Sequence, residues 1–160
     1  MKQLIDERRK NMPDHNDQIH PEAAVAPGYL ANHAAKVFNR VVDTALRPHG
    51  LSLALIGPIM LLSWKGPMLQ RDLVRSSAVK QPAMVALLDK LETMGLIDRT
   101  PSPDDRRAAM VQLSNNGLVA AEHGRHALIS ANAQGLEGFS TEEVTKVIEL
   151  FQRLIDNLER

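Results

Sequence analysis

The sequence predicts a mainly α-helical fold with one small β-hairpin, an α+β class in which helices dominate. Three observations lead there. Aliphatic residues recur at three- and four-residue spacing along most of the chain. Aromatic residues make up only 3% of the 160, so the core must be built from Leu, Ala, Val and Met, a composition that favours helices. Near residues 96–113, two short apolar runs alternate with period two on either side of a charged, proline-marked turn.

Residues 1–27 read as a partly ordered arm: a charged piece up to Met12, then Pro13, Pro21 and Pro27 in polar sequence, which interrupt any continuous helix. From Gly28, the positions Leu30, Ala34, Val37, Phe38, Val41, Val42, Ala45 and Leu46 follow one apolar helical face, and "RPHG" ends it. A second helix is expected within residues 52–64, with Pro58 kinking it or delaying its start because proline removes a backbone donor.

The next segment splits into two short helical registers. One is centred on Leu73, the other on Val85, Leu88 and Leu91, and the small polar joint Ser76-Ser77-Ala78 divides them. Pro82 suits the first position of the second helix, where no amide donor is needed, and Gly95 suits its left-handed end. Two short helices with a tight joint form the helix-turn-helix outline. Leu96 to Thr100 then reads as a strand, and Arg107, Ala109, Val111 and Leu113 alternate with Ala108, Met110 and Gln112 in another. A hairpin appended to a helix-turn-helix is a winged helix, here over residues 51–114.

Ser114 is placed to cap a long helix through residues 118–133. Ser140-Thr141-Glu142-Glu143 is a capping box that opens the last helix. Val144, Val147, Ile148, Phe151, Leu154, Ile155 and Leu158 form a nearly unbroken stripe along it. A terminal helix with so apolar a face calls for a partner, and a second subunit is a natural one.

Composition narrows the function. Nineteen basic residues balance nineteen acidic ones, so any binding to a polyanion must come from local arrangement. With no cysteine, disulfides, thiolate metal sites and a cysteine nucleophile are excluded. The charged N-terminus lacks the apolar run of a signal peptide. The longest apolar stretch, "LSLALIGPIMLLSW", falls short of the roughly 20 residues that span a bilayer, so a cytoplasmic protein without a membrane partner is expected. No G-x-S-x-G, phosphate loop or dinucleotide fingerprint appears. Glu122, His123 and His126 have helical metal-ligand spacing, but no further ligand is identifiable. Neither an enzyme nor a cofactor or metal site is expected.

The charged turn Asp104-Asp105-Arg106-Arg107 has two readings. Charge runs at hairpin tips commonly form solvated ion pairs worth under about 1 kcal/mol each. At the protruding end of a wing, however, an arginine is placed to enter a minor groove, where narrow A/T-rich stretches concentrate negative potential.

"GLIDRTPSPDDRRAAMVQLSNNG" resembles the wing of the MarR (multiple antibiotic resistance regulator) family of transcription factors. The family pattern is Gly-Leu-Ile/Val, a few polar residues, Asp-Pro-x-Asp-Arg-Arg, then a strand ending in Leu-Thr/Ser and a glycine. "GPMLQRDLVRSSAVKQPAMVALLDKLETMGLI" is similar to the family's helix-turn-helix, and "PGYL" to the start of its first helix, so the likeness covers residues 28–160 as one unit.

The resemblance implies a homodimer held by helices from residues 28–50 and 115–160, with each subunit offering one winged helix to double-stranded DNA. Half-sites would lie about one helical turn apart on a pseudopalindrome. It further implies that Arg107 reaches into the minor groove, that Asp105 orients it, and that Arg106 contacts phosphate or braces the wing.

Ser102 departs from the family's first wing aspartate, and Pro82, Ala83, Val85 and Ala86 make the recognition helix unusually apolar. Base reading then falls to Gln81, which can pair bidentately with adenine, and to contact of Ala83 or Val85 with thymine methyls; helix packing is the alternative for the latter two. Lys80, Arg71 and Arg75 are phosphate-contact candidates, with surface charge as the alternative for the two arginines.

Many relatives bind a small aromatic or phenolic carboxylate between the dimer helices and the winged helix. By position, Tyr29, Asn32, His33, Ile56, Met60 and Trp64 would line such a cavity. The plainer alternatives are a packing or surface role for His33 and half-buried packing for Trp64. The sequence therefore supports a DNA-binding transcriptional regulator, a ligand-released repressor in particular. The alternative is a winged-helix protein-interaction module without sequence-specific DNA reading.

Overall fold

The computed structural model of the chain describes residues 20, 22–102 and 108–160. The chain forms two compact units, Met1–Val41 and Val42–Arg160. Helix α1, Pro27–Leu46, runs across the boundary between them.

In the first unit a 3-10 turn, Ala23–Val25, precedes α1, and Ala24 is buried. Along α1 the rings of Tyr29 and His33, one helical turn apart, stack with centroids 6.2 Å apart.

In the second unit α1 ends in a 3-10 turn, Arg47–His49, followed by α2, Leu53–Lys65. Two side chains satisfy orphan amides at the start of α2: Leu53 N–H donates to Asp43 Oδ1 at 3.1 Å and Leu55 N–H to Ser52 Oγ at 3.4 Å. The helix begins at Leu53, so of the two expected effects of Pro58, a kink or a delayed start, the delay does not occur. The carbonyl that a residue-58 amide would have met belongs to Ala54, an exposed residue, while Pro58 itself is buried.

The winged helix follows. Strand β1, Met68–Leu69, leads into α3, Gln70–Arg75, then α4, Gln81–Thr93, strand β2, Ile97–Pro101, and strand β3, Ala109–Leu113. The sheet has antiparallel order β1-β3-β2, with Met68 opposite Val111, Ile97 opposite Leu113 and Pro101 opposite Ala109. The sequence reading foresaw only the β2–β3 hairpin, because a two-residue strand carries no periodicity. Strand β3 begins at Ala109, the expected strand residue Arg107 lying outside the described residues, and Pro82 is the second residue of α4 rather than the first; the second amide of a helix is equally free of an internal partner.

The turn between α3 and α4 is closed by Ser77, whose Oγ donates to the Val74 carbonyl and accepts from Val79 N–H, both at 3.3 Å. At the end of α4, Gly95 has φ +68°. This left-handed conformation lets the chain reverse within three residues into β2.

Leu73, Met84, Leu88, Leu91, Ile97 and Val111 form the core of the winged helix, continuous with Leu55, Ile59 and Leu62 of α2. Helix α5, Asn115–Gly135, is capped by Ser114, whose Oγ accepts from Gly117 N–H at 3.0 Å. Its buried residues are all small: Gly117, Ala120, Ala121, Gly124, Ala127 and Ala131. That stripe lets α2 lie close, since a Cβ at Gly124 would stand 2.5 Å from Ile56 Cδ1 and 3.1 Å from Met60 Sδ.

Helix α6, Thr141–Leu158, opens with the expected capping box, in which Glu143 N–H donates to Ser140 Oγ and Ser140 N–H to Glu143 Oε2. No residue of α6 is fully buried, and Ile148, Phe151, Ile155 and Leu158 of its apolar stripe are exposed. Among the described residues, no single helix is long and apolar enough to cross a membrane.

Candidate nucleic-acid interface

The sequence directs one face of α4 inward and leaves the other open. Met84, Leu88 and Leu91 recur at helical spacing and are fully buried, so Gln81, Pro82, Ala83 and Ala86 stand exposed, with Val85 half-buried at the margin. Ala83 is thus on the surface rather than in the packing, and Val85 is divided between the two.

Lys80 occupies the N-cap position of α4, exposed, with no side chain capping the first amides. The positive end of the helix dipole and an ammonium group therefore coincide on open surface, a combination suited to phosphate.

Helix α3 adds a second row of charge. Arg71 is exposed and forms no ion pair among the described residues. Arg75 is also exposed but is paired with Asp72 at 3.5 Å, a surface contact that weakly offsets its charge. A cleft of about 310 Å³ lies between α3, the start of α4 and the start of β3, lined by residues that include Arg71, Val74, Gln81 and Ala109. Arg71 and Gln81, ten residues apart in sequence, thus share one concavity at the base of the wing.

Asp105, Arg106 and Arg107 lie outside the described residues. At the base of that segment Ser102 is buried, and its N–H donates to the Ala108 carbonyl at 2.8 Å, continuing the β2–β3 ladder. Serine's small side chain fits a closed site that leaves it 4% exposed.

A further group was not foreseen from the sequence. Arg99 on β2 reaches back to α4, where its Nε donates to Glu92 Oε2 at 3.0 Å and its Nη2 to Asp89 Oδ1 at 2.6 Å, with a second bond from Nη2 to Glu92. The Arg99 hydrogen bond holds the Glu92 carboxyl below the usual carboxylate range, and the same bond raises the guanidinium. Asp89 and Glu92 at a three-residue spacing were a readable helical pair; that a strand residue would close on both was not.

The residues proposed to line an effector cavity fall into both units. Tyr29, Asn32 and His33 are exposed on α1, with the first and last stacked on each other. Within the second unit, Ile56 and Met60 are 2% and 4% exposed and lie under Gly124 of α5, committed to the α2–α5 contact. Trp64 is 66% exposed, not half-buried, because it sits at the last turn of α2, beyond the part covered by neighbours.

The histidines of α5 serve separate contacts. His123 stacks on His49 with centroids 3.7 Å apart, His126 Nδ1 lies 3.5 Å from Ser130 Oγ, and Glu122 pairs with Arg125. Among the described residues, no group of three acidic or histidine side chains converges to hold a metal ion.

Residues 59–109 match the model of the MarR family. The chain is similar to a probable transcriptional regulator from Pseudomonas aeruginosa, with 27% identity over 82% of this chain and 98% of that one, at a TM-score of 0.73. It is also similar to a cysteine-to-serine variant of MarR from E. coli complexed with operator DNA (20% identity, 89% and 99% covered, TM-score 0.73). A third similar structure is Bordetella bronchiseptica BpsR, whose regulation of DNA binding by 6-hydroxynicotinic acid has been described (19% identity, 79% and 96% covered, TM-score 0.70). The family match over residues 59–109, together with the three-stranded antiparallel sheet that flanks the two short helices, gives the chain a winged helix similar to that of the MarR family.

Proposed function

We propose that the protein is a sequence-specific DNA-binding transcriptional regulator that acts as a homodimer on a pseudopalindromic operator. The observation that carries this reading is the open first turn of α4, where Lys80, Gln81 and Ala83 stand exposed beside Arg71 at the base of the wing. In this reading Lys80, Arg71 and Arg75 bind phosphate, Gln81 reads a base edge, and Ala83 and Val85 meet thymine methyls. Arg107, oriented by Asp105, probes the minor groove, and Arg106 contacts the backbone.

The exposed stripe of α6 supports the dimer, since Ile148, Phe151, Ile155 and Leu158 form an apolar face of the kind a second copy covers. A dimer seated on a promoter excludes polymerase, which makes repression the expected sign. The regulation of BpsR by 6-hydroxynicotinic acid, a hydroxylated aromatic acid, supports release by a small aromatic or phenolic effector. Tyr29, Asn32 and His33 are the open candidates to meet it, while Ile56 and Met60 would bear on it only through a shift of α5.

The test is a titration of the full chain against duplexes from its own genomic neighbourhood. A palindromic fragment should bind at least about a thousandfold more tightly than random duplex. Arg107→Ala should weaken binding chiefly through the A/T-rich flank. Equal affinity for both duplexes would overturn the reading in favour of a protein-interaction module, for which the exposed Pro82, Ala83 and Ala86 would be the contact surface.

A further inference from the structure

We infer that Arg99 is a positioning residue that locks the wing to the recognition helix, so that the Asp89–Arg99–Glu92 cluster sets the reach of the wing relative to the base-reading face of α4. The inference rests on the regulatory reading above and extends it to a residue outside the DNA contact surface.

Among the described residues, strand β2 is an edge strand, hydrogen-bonded only to β3. It leaves α4 through the three-residue turn 94–96, which is held by Gly95 N–H to the Glu92 carbonyl at 2.8 Å and Leu96 N–H to the Leu91 carbonyl at 2.9 Å. Such a joint defines a pivot but not an angle. Ile97 faces the core and is 1% exposed; Arg99, two residues on, lies on the same side of the strand. Where an apolar residue would continue the packing, the guanidinium instead takes two carboxylates from successive turns of α4. Arg99 is 21% exposed at its side chain, against 58% for Asp89 and 44% for Glu92.

Charge argues against the alternative of a phosphate contact. One guanidinium between two carboxylates leaves the cluster net negative, and both Nε and Nη2 are already engaged. A planar fork pairing with two acceptors also fixes orientation in a way that a lysine ammonium does not. The cluster is thus committed to an internal contact and aligns the two elements that meet DNA elsewhere.

The two roles predict opposite signs. The wild-type chain is first used to select an enriched duplex from a random 30-bp pool. Arg99→Gln, Arg99→Lys and the double variant Asp89→Asn/Glu92→Gln are then titrated against that duplex and against the unselected pool, with urea midpoints recorded to establish folding.

A positioning role predicts that Arg99→Gln and the double variant each lose roughly tenfold in the ratio of enriched to random affinity, within the range of coupled charge networks. Arg99→Lys should recover part of the loss, and the salt dependence of binding should stay unchanged in all three. Tighter binding of the enriched duplex by the double variant, with its ratio intact, would overturn the inference by marking Arg99 as a phosphate ligand that its partners restrain. An unchanged ratio in Arg99→Gln would also overturn it. Failure of the wild type to enrich any sequence would instead sink the regulatory reading, and this inference with it. If Arg99→Gln does not fold, the double variant and Arg99→Lys decide by the same ratio.

Discussion

Gly117→Ala tests whether the start of α5 is docked on the end of α4 as tightly as the structure has it. Three hydrogen bonds converge there: Ser114 N–H to the Leu96 carbonyl at 3.1 Å, Ser114 Oγ to the Gly95 carbonyl at 2.6 Å, and Gly117 N–H to Ser114 Oγ at 3.0 Å. A Cβ at residue 117 would be driven into the Leu96 carbonyl oxygen and would lie 3.0 Å from its carbonyl carbon and 3.2 Å from Leu113 Cδ2. Backbone cannot swing aside as a side-chain end can, so the two Ser114 contacts to residues 95 and 96 must lengthen.

Losing them costs about 1 kcal/mol each, and residual overpacking adds about 1–2 kcal/mol. The better helix propensity of alanine returns about 1 kcal/mol. The net destabilisation is about 2–3 kcal/mol, or roughly 4–12 °C in Tm for a chain of this size. Urea unfolding followed by far-UV circular dichroism, at matched protein concentration, measures it. Gly57→Ala is the control: Gly57 is an exposed position inside α2 with nothing within 4 Å of an added Cβ, where a gain of roughly 0.5–1 kcal/mol is expected. If Gly117→Ala were as stable as Gly57→Ala, the close approach of α5 to Leu96 would be refuted.

Two further outcomes follow from local chemistry. Because Arg99 holds the Glu92 pKa below its unfolded value, the linked stability is present above the ordinary carboxylate value of about 4.3 and is lost as pH falls through the folded value. Wild type should therefore exceed Glu92→Gln in urea midpoint at pH 7, and the gap should narrow as pH falls below about 4.3; a gap constant with pH would contradict the pairing. Ser140→Ala, which removes half of the capping box of α6, should cost about 1 kcal/mol in the same assay, and no loss would show that the last helix draws nothing from its cap.

How much was legible depended on distance along the chain. The capping box at Ser140, the Ser114 cap and the left-handed Gly95 are satisfied within a few residues, and each stands where local rules place it. Strand β1 escaped because its two residues acquire meaning only through pairing with Met110 and Val111. That Pro58 would not delay α2 was not legible, because Asp43, ten residues before Leu53, helps cap the helix that contains it. Trp64 misled in the opposite direction, since aromatic character argues for burial and only the position of neighbours decides it. The wing arginines were assigned from the motif in which they occur, and they lie outside the described residues.

By itself, the sequence determined the helix-turn-helix, the hairpin and the apolar face of the last helix, because periodicity and capping act over one or two turns. Tertiary structure decided which small residues are contacts and which charges are braces. Gly117 and Gly124 differ from Gly57 only in what approaches them from 21 and 68 residues away, Leu96 in one case and Ile56 in the other. Arg99 differs from Arg71 only in having two carboxylates of α4 within reach. Side-chain chemistry is written in the chain, but a close approach or an ion pair between distant segments exists only once the core has fixed their separation.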